Sequence, residues 1–558
     1  MSQKNQMPRQ KKTSGRKNLM LILTLLLVLS AIFYSQNRPQ EAAPSSGDFE
    51  VTKYSGDPLR IVAGSENKEL EPILQEYADQ HKINLRVDYL GSLDIMRQLQ
   101  SGQVDYDAVW PASSIWLSLG DDHHLLKHAQ TTSTTPIVFG IRQSLAKELG
   151  FVGRDVYIQD IMEAIKAGRL NFAMTSATQS NSGASAYLGF LTAIAKSQGG
   201  LTMEDLQDPK TGDQIQQLLA GVNRSSGSSN WLVDLFLEAD YDAMVNYEAL
   251  IIQANKKISQ TRDREPLHVV YPVDGLAISD SPLAYVDHGD RQKEEAFLDL
   301  QTYLLSDQAQ NKIEQTGKRS RLGTVEQANR ALFNPEWGID LDRVISPIRW
   351  PNADVIKEAL VLYQTQFKKP ALTVYVLDFS GSMSGEGYRQ MMQAMEEVLL
   401  PDKAKANLLQ GTQKDISVVI PFAGNVYPVL ATQGNGQELV DLNNQVQALR
   451  LGGGTAMYEG IYEAIDQLTN PDGPYFKDLN HYTPAVVVLT DGQPNGAMKF
   501  KELADHYHQA GQDIPIFSIL FGEAEEAKMK ELAELSRARV FDGRKDLVNA
   551  FRQVKGYN

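Results

Sequence analysis

Short apolar blocks recur along this chain, and most lead into stretches where apolar residues return every three or four positions. "LRIVAGS" (59–65) is followed by "NKELEPILQEYADQHK" (67–82), "INLRVDYLGS" (83–92) by "LDIMRQLQSGQ" (93–103), and then comes "YDAVWPASS" (106–114). An apolar run of that length predicts a strand, and a period near 3.6 predicts an amphipathic helix beside it. The alternation resumes with "ALTVYVLD" (371–378) and "YRQMMQAMEEVLL" (388–400), then "DISVVIPFA" (415–423) and "TAMYEGIYEAIDQL" (455–468). It continues through "PAVVVLTDG" (484–492), "MKFKELADHYHQAG" (498–511) and "IPIFSILFG" (514–522), with two helices expected to end the chain. Strands alternating with helices predict α/β bodies with mostly parallel sheets, one over 58–350 and a doubly wound one over 371–558. Between them "PNADVIKEALVLYQTQFKKP" (351–370) predicts one connecting helix, with Val355, Ala359, Leu362 and Phe367 on a single face.

The N-terminus breaks this pattern. Residues 19–34, "LMLILTLLLVLSAIFY", form an uncharged apolar run preceded by Lys4, Arg9, Lys11, Lys12, Arg16 and Lys17, and no acidic residue comes before Glu41. At 1.5 Å per residue the run makes about 24 Å of helix, which spans a hydrocarbon core of roughly 30 Å only with help from its flanks. The expectation is a transmembrane helix over 19–35, with a basic cytoplasmic segment at 1–18 and the C-terminal body outside the cytoplasm. A cleaved signal peptide is the rival. No small-x-small site directly follows the run, because "EAAPSS" comes later. Residues 36–57, rich in Pro, Ser and Gly, are expected to be a linker.

A length of 558 residues accommodates roughly three to five domains. The net charge of −15 argues against nucleic acid as a partner, since phosphate binding needs a basic surface. The chain has no cysteine, which excludes disulfides, thiolate metal sites and a cysteine nucleophile.

Chemistry concentrates at the predicted strand ends. In parallel sheets ligands bind beyond the carboxyl ends of the strands, so Gly64, Ser65, Ser92, Ser113 and Ser114 are expected to converge on one cleft. "SNSGAS" (180–185) precedes a helical run. Ser180, Asn181 and Ser182 are either ordinary caps of that helix or the rim of a site for an anion or a carbonyl. Trp110 either stacks on a ligand or belongs to the core. Glu248, beside Tyr247, suits a cation or an amine, which leaves the ligand's charge open. In the second body Asp378, Ser380 and Ser382 follow one strand, Thr455 follows "GGG" (452–454), and Asp491 follows another strand. Two carboxylates and three hydroxyls form an oxygen-only set of the kind hard divalent cations take. Asp378, at a strand's end, is expected to pack against nothing essential. His123, His124 and His128 include an i, i+4 pair as a zinc site could, but are expected to be surface histidines beside acids, and His506 and His508 are expected to lie on a polar helix without a metal role. No Walker A, HExxH or GxSxG motif occurs.

Two resemblances cover most of the chain. "TTSTTPIVFGIRQSLAKELG", "FAMTSATQSNSGASAYLGFLTAIA", "MVNYEALII" and "YPVDGLAISDSPLAYV", in that order, resemble the lobe crossovers and binding loop of a bacterial extracellular solute-binding protein of the two-lobed type. The likeness implies a small-molecule solute, with Ser65, Ser92, Ser113, Ser114, Ser180, Asn181, Ser182 and Glu248 as candidate contacts. The Asp-x-Ser-x-Ser, Thr and Asp set resembles the metal-ion-dependent adhesion site of a von Willebrand factor A domain. That likeness implies that Asp378, Ser380, Ser382, Thr455 and Asp491 hold Mg2+, or Ca2+ or Mn2+, directly or through water. A carboxylate from a protein partner would fill the open position. The expected function is a membrane-anchored extracytoplasmic binding protein, not an enzyme. The alternatives are an accessory solute-binding component of a transport system and, further off, a metal-dependent hydrolase.

Overall fold

The computed structural model describes residues 48–556, apart from 198, 240, 262–263, 407–408, 492, 521–525 and 545–546. The apolar run at 19–34 lies outside the described residues. Among those described, no helix is long and apolar enough to cross a membrane.

Three sheets organise the chain. The first lobe has the strand order Phe49–Val51, Leu85–Tyr89, Leu59–Ala63, Ala108–Trp110, Pro282–Val286, Leu126–Thr131. The central strands run parallel, and Pro282–Val286 returns antiparallel from the second lobe. The second lobe is ordered Leu267–Val270, Ser133–Arg142, Ala243–Tyr247, Phe172–Thr175, Val222–Ser226. The lobes share apolar packing: Leu93, Met96, Trp116 and Leu119 of the first belong to the same buried cluster as the sheet of the second.

The third sheet runs Leu430–Gln433, Ile416–Phe422, Ala371–Asp378, Thr483–Thr490, Ile516–Leu520, Val540–Asp542. All eight residues of Ala371–Asp378 are buried, because this central strand is covered on both faces. Its alternation divides the core. Tyr375 and Leu377 face the helices Glu386–Leu399 and Leu547–Gly556, while Leu372, Val374 and Val376 face Met457–Thr469 and Phe500–Ala510.

The structure corrects several expectations. The linker is shorter than 36–57, because Phe49–Val51 already pairs antiparallel with Leu85–Val87 as an edge strand. Residues 351–370 are neither one regular helix nor a free connector. An α-helix, Ala353–Leu362, passes into a π-helical turn, Tyr363–Phe367, and Lys368 N donates five residues back to the Tyr363 carbonyl (3.0 Å). Val355, Ala359, Leu362 and Phe367 are buried in the second lobe's own core. Tyr187 Oη donates to the Ala359 carbonyl (2.8 Å) and Gln364 Nε2 to Thr178 Oγ1 (2.5 Å). The segment is thus an outer layer of that lobe. Beyond the predicted elements, the third body adds the antiparallel edge strand Leu430–Gln433 and the helix Gln437–Gln447.

Candidate functional site

Three loops meet at the carboxyl edge of the third sheet. The first leaves Asp378, whose Oδ1 accepts from Ser380 N (2.7 Å) and whose Oδ2 accepts from Thr490 Oγ1 (2.5 Å). Ser380 Oγ and Ser382 Oγ lie 2.9 Å apart, and Ser382 Oγ donates to Asp491 Oδ1 (2.8 Å). The second loop is tied to the first where Gly452 N donates to the Phe379 carbonyl (2.8 Å). Here the glycine run is a steric requirement. Gly454 has φ +82°, and a Cβ on it would come 2.8 Å from Gly424 Cα. Thr455 is held from both sides by Asn495: its N–H donates to Asn495 Oδ1 (2.7 Å), and Asn495 N donates to the Thr455 carbonyl (3.0 Å).

The electrostatics suit a cation. Asp378 is fully buried and, among the described residues, has no ion pair. Burial pushes its carboxyl up, hydrogen bonds from Thr490 and Ser380 offset part of that, and the neighbouring Asp491 charge adds to it. A buried carboxylate facing a second carboxylate across two hydroxyls is short of positive charge, which an oxygen-seeking divalent ion would supply. Asp378 is not the loosely packed residue expected from its place at a strand's end, since its side chain secures both Thr490 and the Ser380 loop. No group of three or more His, Asp or Glu side chains that could hold a metal occurs among the described residues, so any ion here would rely on hydroxyls as well as acids.

Between the two lobes lies a cavity of about 210 Å3. Ser65, Ser92, Ser180 and Asn181 line it, whereas Ser113, Ser114, Ser182 and Glu248 do not. Most of these polar groups are already engaged. Asn181 Oδ1 accepts from Trp116 Nε1 across the lobe boundary (2.6 Å), and its amide donates to Tyr247 Oη (3.0 Å) and Ser279 Oγ (2.7 Å). Ser182 Oγ lies 2.8 Å from both Thr175 Oγ1 and Ser229 Oγ. Ser92 Oγ accepts from Ala112 N (3.0 Å), and Ser113 Oγ caps Ile115 N (3.5 Å). Ser114 contributes its N–H to Asp280 Oδ1 (2.8 Å). Ser228 Oγ of the second lobe donates to Ser65 Oγ of the first (3.1 Å), so the lobes touch directly. Trp110 is core, with Nε1 donating to Thr132 Oγ1 (3.0 Å).

Glu248 lies elsewhere, buried and gripped by Arg319, whose Nε and Nη2 each donate at 2.8 Å. The histidines disperse: His123 meets the Gln100 carbonyl, His128 pairs with Glu294, and His506 stacks on Tyr462. A larger groove, about 900 Å3, opens on the second lobe alone between Tyr157, Lys196, Asp205 and Arg349, away from the converging strand ends.

Several site residues carried no sequence signal. Thr490 reads as the last residue of an apolar strand, and Asn495 sits in an irregular loop. Glu66, also lining the cavity, is 5% exposed, and its Oε1 has no hydrogen-bond partner among the described residues. Burial pushes its carboxyl up against the opposing pull of Lys318. Arg539 and Gln553, from the far end of the chain, complete the wall.

Residues 59–319 match the family model described as bacterial extracellular solute-binding protein, and residues 374–550 match the von Willebrand factor type A domain. Among curated proteins the chain resembles inter-alpha-trypsin inhibitor heavy chain H1 of Mesocricetus auratus, with 24% identity over 194 residues, covering 33% of this chain and 20% of that protein. The chain thus spans about a fifth of the length of the curated relatives it matches. Among solved structures, a ferric binding protein from Campylobacter jejuni is 14% identical with a TM-score of 0.41, covering 55% of this chain and 98% of that one. A von Willebrand factor type A protein from Catenulispora acidiphila is 19% identical with a TM-score of 0.27, covering 34% of this chain and 43% of that one.

Proposed function

We propose, for a chain that carries a bacterial extracellular solute-binding domain followed by a von Willebrand factor type A domain, that it is an extracytoplasmic binding protein that uses both. In this reading the segment 19–35 holds it on the cell membrane. Asp378, Ser380, Ser382, Thr455 and Asp491 hold Mg2+, or Ca2+ or Mn2+, directly or through water. The bound ion would act as a Lewis acid for an incoming oxygen ligand, and a carboxylate from a protein partner is the fitting one. The two-lobed body holds a small polar solute between its lobes. The observation that carries the metal reading is the buried Asp378 carboxylate, without an ion pair among the described residues, linked through hydroxyls to a second acid.

Calorimetry of the metal-free full chain is expected to show one divalent ion bound. Capture of a partner from membranes is expected with Mg2+ and not with chelator. Absence of both heat and a melting shift at millimolar Mg2+ or Mn2+ would defeat the metal reading. A transport accessory is the second reading, and the polar cavity between the lobes favours it. A permease and an ATPase encoded beside this chain would support it. Hydrolysis at the metal loops has less support, because Ser380 Oγ is paired with another serine rather than with a base.

A further inference from the structure

All three sheets' bodies meet at the mouth of the solute cleft. Asp94 Oδ1 of the first lobe accepts from Arg97 Nη1 (2.7 Å), and Arg97 Nη2 donates to the Thr178 carbonyl of the second lobe (3.1 Å). The same Asp94 oxygen lies 3.8 Å from Arg552 Nη2, on the C-terminal helix Leu547–Gly556. Next to Thr178, Gln179 Nε2 donates to the Arg552 carbonyl and, at 3.5 Å, to the Gln553 carbonyl. These carbonyls lie in the last turns of the helix, where its dipole is negative. Gln179 leads directly into the helix Asn181–Ala195, whose dipole there is positive. The fit is close enough that a Cβ on Gly556 would overlap the Gln179 side chain.

A second contact flanks the first. Asp513 of the C-terminal domain receives Arg224 Nη1 (3.3 Å) and Tyr241 Oη (2.7 Å) from the second lobe, and Arg537 Nη2 (3.1 Å) from its own domain. Burial opposes the Asp513 charge, but these three partners outweigh it and hold its carboxyl below the ordinary range. Arg224 Nη2 also donates to the Arg537 carbonyl (3.0 Å). Trp231 packs against the cores of both bodies, and the Arg539 guanidinium sits 5.9 Å from its ring centre. Arg539 and Gln553 then face into the cavity beside Ser92 and Ser180.

We infer that the C-terminal domain is the lid of the solute cleft: it supplies Arg539 and Gln553 to the wall, and solute exchange requires it to swing away. That a solute occupies the cavity rests on the reading above, but the lid does not. Asp513 is the latch, because it is the anion between one cation on each body, Arg224 and Arg537. Thermodynamic linkage then works in both directions. A partner that binds the C-terminal domain only when it is swung out opens the cleft, and a solute that fills the closed cavity weakens that partner by the same factor.

The test needs neither solute nor partner. The chain has no cysteine, so Ser92→Cys places a single thiol on the cavity wall at a position 2% exposed. Its reaction with a thiol reagent is expected to be slow in the full chain. Adding Asp513→Ala leaves Arg224 and Arg537 facing each other, and the reaction is expected to accelerate about tenfold or more, as loss of a bridging charge shifts such equilibria. If that variant does not fold, by circular dichroism and melting, Arg552→Ala decides the matter with an expected gain of about threefold, the scale of a long, partly exposed ion pair. An unchanged rate in the folded variant overturns the lid. So does a parent thiol that already reacts like a free cysteine.

Discussion

Replacing Arg319 by alanine is expected to lower the stability of the two-lobed body by about 3–5 kcal/mol, the range for breaking a buried ion pair from one side. Glu248 opens the helix Glu248–Thr261 with its side chain fully enclosed. Arg319 meets it as a fork, one nitrogen on each oxygen, from the two-residue strand Arg319–Ser320. Tyr271 Oη donates to the same carboxylate, but a neutral phenol does not cancel the charge. Arg319→Ala therefore strands an anion where water cannot reach it. The double variant Glu248→Leu with Arg319→Met removes both charges and keeps the volume, and it is expected to lose far less. Urea unfolding of both variants checks this. A single variant as mild as the double would mean that the pair is solvated and that Glu248 is free for another role.

Asp378→Asn is expected to abolish the stabilisation that Mg2+ confers while leaving the chelated protein within about 1 kcal/mol of the wild type, the scale of one neutral hydrogen bond. At a hundredfold excess of ion over Kd, binding to the folded state is worth about 2.7 kcal/mol, and the variant is expected to lose most of it. Asparagine keeps an acceptor for Ser380 N and removes the charge that desolvation and Asp491 both disfavour. Alanine is the poorer probe, because it removes the carboxylate that accepts from both Thr490 Oγ1 and Ser380 N, at a cost of about 1–3 kcal/mol. Melting in chelator and in Mg2+ separates the outcomes. A variant that still gains stability from Mg2+ would place the ion elsewhere, and one that melts far lower in chelator would make Asp378 structural.

The two bodies, their α/β class and the strand-end loops of the second were legible from the residue pattern alone. The reason is local: a strand buried on both faces is mostly apolar, and the polar residues at or just past its carboxyl end stand at the sheet's edge. That is why Asp378, Ser380, Ser382, Thr455 and Asp491 could be named in advance and are found on three adjoining loops. Periodicity likewise marked Val355, Ala359, Leu362 and Phe367 as one buried face, but not the neighbour that buries it, which is the second lobe. Edge elements were illegible. Leu430–Gln433 is half exposed and carries little apolar pattern, and Phe49–Val51 is three residues inside a polar stretch. The fate of the polar groups was set by long-range packing, because a hydrogen-bonding side chain can bind a ligand or the protein, and its partner is usually distant in sequence. Asn181 is spent on Trp116, Tyr247 and Ser279, and Glu248 on Arg319, 71 residues away. The same holds for the cleft's far wall. Arg539 and Gln553 lie hundreds of positions from Ser65 and Ser92, and only the packing of the C-terminal domain against both lobes brings them together.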